Sequence, residues 1–246
     1  MTAVETPPPA APPTESPLTQ LAVHVESDTD APSRDAVLEF ECDWDVGIGG
    51  SVWTSGEILT SYLASQQPKY RALFRDKVVV ELGSGTGFVG LLTAVCFAPA
   101  RVLISDLATH VECMQKNIDR NATQYSPGVD VRAVELSWGD KDHEDALLQS
   151  LGPDGKVDII LGTDVAYLRE LYEPLLHTLT RLASDGTLVL LGMNRTDTGM
   201  DFFRRLVEEG FEYYKIDDRF LPLVYRGKDF GLFEVTRVRP RTVMLP

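Results

Sequence analysis

The chain has 246 residues, 43% of them hydrophobic, and a formal charge of −14. That length can bury a sizeable core in one domain, and the hydrophobic share is ordinary for a globular fold. The acidic balance repels phosphate backbones at long range, which disfavours nucleic acid as a partner and favours a cationic protein segment.

The N-terminal stretch differs from the rest. Pro7, Pro8, Pro9, Pro12, Pro13 and Pro17 precede an acidic run, and six acids face Arg34 alone, so residues 1–36 carry −5 and the remainder −9. Little here can pack, so a disordered proline-rich acidic tail is expected over 1–36, with a single domain over 37–246. No basic start leads into a long apolar run, as a signal peptide requires. No window reaches the ~18 uninterrupted apolar residues of a membrane span, so no membrane partner is expected. The nearest, 91–104, is broken by Pro99 and Arg101.

From there strands and helices alternate. A helix is expected over 54–65, entered through Gly47-Ile48-Gly49-Gly50-Ser51-Val52-Trp53. The first buried strand spans 78–82 and its helix about 86–97. A second strand at 101–105 leads into a helix from Leu107 to about residue 121, and a third spans about 129–136. Strand four covers 157–162, a helix about 171–183, and strand five 187–191. A helix over 201–209 stops at Gly210, and 211–216 and 232–238 form the last two strands, antiparallel in part. Cys42, Cys96 and Cys113 lack metal-type spacing, and His24, His110, His143 and His177 form no ligand cluster. Neither metal nor disulfide is expected, and reduced thiols fit a cytoplasmic or nuclear location.

The most informative string is Val78-Val79-Val80-Glu81-Leu82-Gly83-Ser84-Gly85-Thr86-Gly87-Phe88-Val89-Gly90. A parallel strand that runs through a glycine turn into a helix makes room for a nucleoside-bearing ligand. Gly85 to Gly90 also satisfies the dinucleotide pattern G-x-G-x-x-G, a weak match by itself. The strand, however, ends on Glu81, which would repel a pyrophosphate and suits a ligand with a cationic ammonium. Asp106 closes the second strand, where a carboxylate accepts hydrogen bonds from a ribose diol. Its plainer role is to cap the following helix.

Gly162-Thr163-Asp164-Val165-Ala166-Tyr167 follows strand four, on the side where ligands of open α/β sheets bind. Asp164 can bind and orient an incoming ammonium, and the Tyr167 ring can line its channel through a cation-π contact. A helix cap and a packed ring are the structural alternatives. The Asn/Asp-Pro-Pro-Tyr/Phe motif of enzymes that methylate planar nitrogens is absent, so a planar-nitrogen substrate is not expected.

Taken together, Gly49-Gly50-Ser51-Val52-Trp53, Glu81 to Gly87 and Asp164-Val165-Ala166-Tyr167 resemble the family 16 protein-lysine methyltransferases, a seven-strand branch that modifies non-histone proteins. The similarity runs from about residue 38 to 238. It implies a class I methyltransferase fold: a Rossmann-like, doubly wound α/β sheet of seven strands, mostly parallel with an antiparallel last strand. It also implies S-adenosylmethionine as cofactor, bound by Trp53, Glu81, Gly83, Ser84, Gly85, Thr86, Gly87, Asp106, Leu107, Trp138 and Thr163. By resemblance Trp53 borders the methionine end, Trp138 lies near the adenine, and Thr163 stands where many members carry alanine. Asp164 and Tyr167 are the expected catalytic pair. The implied substrate is a lysine of a translation elongation factor, an AAA ATPase or an Hsp70-type chaperone, and a monomer is the expected state. Two other readings stay open: a small-molecule methyltransferase, and a binding module that keeps the fold without turnover. The short 221–229 segment leaves little lid to enclose a metabolite, which disfavours the first.

Overall fold

A computed structural model describes residues 18–28, 31–153 and 155–238. In chain order the elements are β1 (Leu18–Val25), β2 (Arg34–Glu41), α1 (Thr54–Ser65), α2 (Gln67–Phe74), β3 (Val78–Leu82), α3 (Phe88–Cys96), β4 (Arg101–Asp106) and α4 (Ala108–Asn121). Then come β5 (Asp130–Glu135), α5 (Lys141–Ser150), β6 (Ile159–Thr163), α6 (Tyr172–Leu182), β7 (Leu188–Asn194), α7 (Met200–Glu208), β8 (Phe211–Lys215) and β9 (Phe230–Arg237).

Seven of these strands form one sheet in the order β5-β4-β3-β6-β7-β9-β8. β9 runs antiparallel to both its neighbours, and the pairings from β5 through β7 are parallel. The expected doubly wound sheet with an antiparallel last strand is therefore present. Because successive strand residues face opposite sides, Val79, Val102 and Ile159 pack with α1, α3 and α4, while Val80, Leu103 and Ile160 pack with α5, α6 and α7. Both faces are thus covered, as apolar parallel strands require.

The tail expected over 1–36 is overturned for its second half. Residues 18–25 and 34–41 pair as an antiparallel hairpin, with Val23 against Ala36 and Leu21 against Leu38. Ala36, Leu38 and Phe40 point into the core with exposures of 3, 0 and 0%. Alternating apolar residues inside an acidic, proline-flanked stretch supply enough burial to fix both strands. Residues 1–17 and 239–246, where the ends of the expected tail and domain fall, lie outside the described residues.

Two helices were not anticipated. In α2, Pro68 occupies the first turn, where its missing N–H costs nothing. α5 starts at Asp140, whose side chain accepts the amides of Asp142 and His143. Among the described residues, no helix is long and apolar enough to cross a membrane.

Candidate active site

β3 and β6 are neighbours, with Leu82 level with Gly162. Here the strand order reverses, so the loops leaving these two strands bound the crevice where open α/β sheets bind ligands. The glycine loop leaves β3, and residues 163–167 leave β6.

Gly83, Gly85 and Gly87 all adopt positive φ, +61°, +54° and +81°. A Cβ on Gly83 would come 3.0 Å from the Trp138 ring, and one on Gly85 would come 2.2 Å from the Gly49 carbonyl oxygen. Glycine is needed at 85 for both conformation and space. The Gly85 amide donates to Asp106 Oδ2 at 2.8 Å, and Ser84 bridges to β4 through Ser105, both amide to carbonyl and amide to hydroxyl, at 2.9 Å. With the side chains of Ser84 and Thr86 buried in the loop, only the backbone of these two residues is placed to meet a cofactor.

Glu81 has a partner within the protein. The period of the strand turns it to the α3 side, where it is 2% exposed and its Oε2 accepts the Gly90 amide at 2.9 Å. A Cβ on residue 90 would lie 2.7 Å from that oxygen, so Gly90 makes the room. Burial pushes the Glu81 carboxyl up to about 8, against the pull of the Gly90 amide. Its role in this geometry is to anchor the turn.

Asp106 Oδ1 accepts the Leu107 amide at 2.7 Å and lies 3.4 Å from His110 Nδ1. A carboxylate offers about four lone-pair sites, so Asp106 retains capacity for a ribose hydroxyl. Beside it Leu107 is 52% exposed and offers an apolar surface. The loop that carries Trp138 is pinned from below: the Gly139 amide donates to Thr178 Oγ1 at 2.9 Å, and that hydroxyl donates to the buried Glu144 at 2.7 Å.

Asp164 stands across the crevice in a left-handed conformation, φ +52°, which Asp tolerates better than most residues. Its Oδ1 accepts the Ser55 hydroxyl at 2.7 Å and the Asn194 amide at 3.1 Å. Burial holds its carboxyl above the ordinary range, opposed by those donors. The side chain of Thr163 reaches toward the first turn of α1, 3.6 Å from where a Gly56 Cβ would stand. Trp53 directly precedes that turn and is 42% exposed, while Tyr167 is half-buried. The switch-point crevice thus gathers the glycine loop, Asp106, Trp138, Thr163 and Asp164. Among the described residues, no three His, Cys, Asp or Glu side chains group as metal ligands.

A family profile described as lysine methyltransferase matches residues 32–209. The chain belongs to the lysine methyltransferase family. Over 200 residues it is 34% identical to EEF1A lysine methyltransferase 3 of Mus musculus, covering 80% of this chain and 75% of that one. Protein N-lysine methyltransferase METTL21A of Mus musculus is 31% identical over 73% of this chain and 76% of its own. Protein-lysine N-methyltransferase EFM6 of Saccharomyces cerevisiae is 28% identical over 70% and 74%. Among solved structures, a Thermus thermophilus 16S rRNA methyltransferase in complex with AdoMet and guanosine superposes at TM-score 0.57, with 17% identity, over 93% of this chain and 53% of that one. A TehB-like methyltransferase of Corynebacterium glutamicum superposes at 0.53, with 16% identity, over 79% and 93%. These two show the fold alone. The chain is a protein-lysine methyltransferase that uses S-adenosylmethionine.

Three residues of this methyltransferase site, Ser55, Asn194 and His110, carried no site signal in sequence, and a fourth, Gly49, carried none beyond its place in the 47–53 segment. Ser55 and Asn194 hold Asp164 from 109 and 30 residues away. Gly49 lies against both the glycine loop and His110, and the latter's Nε2 is buried without a partner among the described residues. Only Gly49 sat in a segment already singled out.

Proposed function

We propose that the enzyme transfers methyl groups to a lysine of a folded protein, elongation factor 1A, acting as a monomer in the cytoplasm. The observation that carries this reading is Asp164. A carboxylate half-buried at the switch point, one strand from the glycine loop and beside an exposed tryptophan, is placed to bind a cation. The name of the 34% identical mouse relative supports the choice of elongation factor.

In this reading the backbone of Gly83 and Gly85, the Asp106 carboxylate, Leu107 and the Trp138 ring hold the cofactor, while Trp53 and Thr163 border its reactive end. S-adenosylmethionine supplies a methyl on a positively charged sulfur, and that bond breaks as the lysine nitrogen bonds to carbon, leaving a neutral thioether and one proton. Lysine titrates near 10.4, so its ammonium must shed a proton before it can attack. Asp164 draws the ammonium in and fixes its direction, and Tyr167 flanks its path. Alignment of the nucleophile then lowers the barrier.

The rim supports a large acceptor. The 216–229 connection borders α1 through Tyr225 Oη, 3.4 Å from Glu57 Oε2, and leaves Leu223 77% and Val224 61% exposed. Such a rim leaves room for a protein surface. To test the reading, purified enzyme is incubated with S-adenosylmethionine and elongation factor 1A, and intact mass and peptide mapping locate the methyl groups. One or more methylene increments on a single lysine are expected. An unchanged mass of elongation factor 1A would overturn that acceptor, and in a parallel incubation of cell lysate with labelled S-adenosylmethionine, label confined to low-molecular-weight material would overturn any protein acceptor.

A further inference from the structure

Helix α1 lacks a side-chain cap of its own: its N-cap residue is Trp53, which makes no side-chain cap bond. The need is met from across the chain. Ser55, 1% exposed in the first turn, gives its hydroxyl to Asp164 Oδ1 at 2.7 Å, and the same oxygen takes the Asn194 amide at 3.1 Å. Orphan amides and the helix dipole both favour a carboxylate at this end. The Ser55 backbone amide donates to the same carboxylate, so Asp164 satisfies an orphan amide of the helix end as well as the Ser55 hydroxyl.

We infer that Ser55 is a positioning residue for methyl transfer. Its hydroxyl locks Asp164 Oδ1 and stops rotation of the carboxylate, so that the acid meets the lysine ammonium in one orientation. Because Ser55 lies two residues after Trp53, the same bond ties the cofactor-side tryptophan to the acceptor-side acid. This inference rests on Asp164 as the lysine-binding group. The charged group facing Asp164 from the segment after β7 is Asp197, which disfavours its ionisation. A donor such as Ser55 Oγ favours the ionised carboxylate.

The test combines a substrate-free readout with activity. Enzyme carrying carbon-13 in its aspartate carboxyls is titrated by NMR, with the Asp164 signal assigned from its absence in Asp164→Asn. Ser55→Ala is expected to move the Asp164 titration upward by about one pH unit, the scale of one hydrogen bond to a charged group. Its acceptor-side pH-rate profile, read as transfer of labelled methyl to the lysate protein that wild-type enzyme labels, should shift by the same amount. Ser55→Thr, which keeps the hydroxyl, should restore both. In Asp164→Asn, adding Ser55→Ala should cost nothing further. An Asp164 titration unmoved by Ser55→Ala in a folded protein overturns the inference. Full activity in Asp164→Asn would instead overturn the role of Asp164 itself.

Discussion

Replacing Gly85 with alanine would put a methyl carbon 2.2 Å from the Gly49 carbonyl oxygen, at φ +54°. The obstacle is backbone, so no side-chain rotation can relieve it. The left-handed conformation costs a residue with a Cβ about 1–2 kcal/mol, and forcing packed atoms apart adds about 1–3 kcal/mol. A domain of this size loses about 2–4 °C of Tm per kcal/mol. Gly85→Ala should therefore melt roughly 5–15 °C lower, and it should bind S-adenosylhomocysteine at least about tenfold more weakly, because the loop and the 47–50 segment must separate. Gly128→Ala is the matched control: φ is +83° but nothing lies within 4 Å of the added carbon. It should lose only the conformational part, roughly 2–8 °C, and keep wild-type affinity. Differential scanning fluorimetry and calorimetric titration read both. Equal losses of Tm and affinity in the two variants would refute the packing of Gly49 on the glycine loop.

Three other outcomes follow from the same geometry. Asp164→Asn keeps an oxygen for Ser55 and Asn194 while removing the charge, so labelled methyl transfer should fall about 100-fold at unchanged cofactor affinity; activity within threefold of wild type would sink the role of Asp164. Glu81 titrates near 8 when folded, above its ordinary value of 4.5, so the stability it contributes is full below 4.5 and lost as pH rises through about 8. The Tm advantage of Glu81→Gln over wild type should thus widen between those limits, and a constant difference would show that burial does not set this titration. Asn117 takes the Glu41 amide at 2.8 Å and donates to the Thr86 carbonyl at 3.0 Å, whereas Asn121 bonds Glu39 but not the glycine loop. Both alanine variants should lose about 1–3 kcal/mol of stability, but only Asn117→Ala should weaken cofactor binding in the calorimeter.

What sequence reveals here depends on the range of each interaction. The strands over 78–82 and 101–106 and the helix over 54–65 announce themselves by apolar run and period. Their carboxyl-end loops follow from sheet topology, so the glycine loop, Asp106 and Asp164 were legible as one crevice. The hairpin was hidden because its alternating residues Leu21, Val23, Ala36 and Leu38 sit among prolines and acids that suggest a tail. Glu81 was found but its bond to the Gly90 amide was not, since strand period decides which face a side chain takes and the motif alone does not state it. Ser55 could not be found at all. A serine in a first helical turn is unremarkable until folding brings a carboxylate from 109 residues away.

The hairpin also bears on what shortening this protein from its N-terminal side would remove. β1 is bound to α2 as well as to β2, with Gln67 Nε2 donating to the His24 carbonyl at 2.7 Å and the Arg71 guanidinium donating to the carbonyls of Ser27 and Glu26. β2 in turn packs Phe40 against Phe88, with ring centroids 4.7 Å apart and the rings tilted by 52°, at the first residue of α3 beyond the glycines. A deletion ending at residue 36 removes all of β1 and opens a strand edge whose far face braces the cofactor turn. A chain cut between 18 and 36 should therefore bind the cofactor more weakly, which calorimetric titration reads, because the cut removes support from the cofactor turn rather than a spare end.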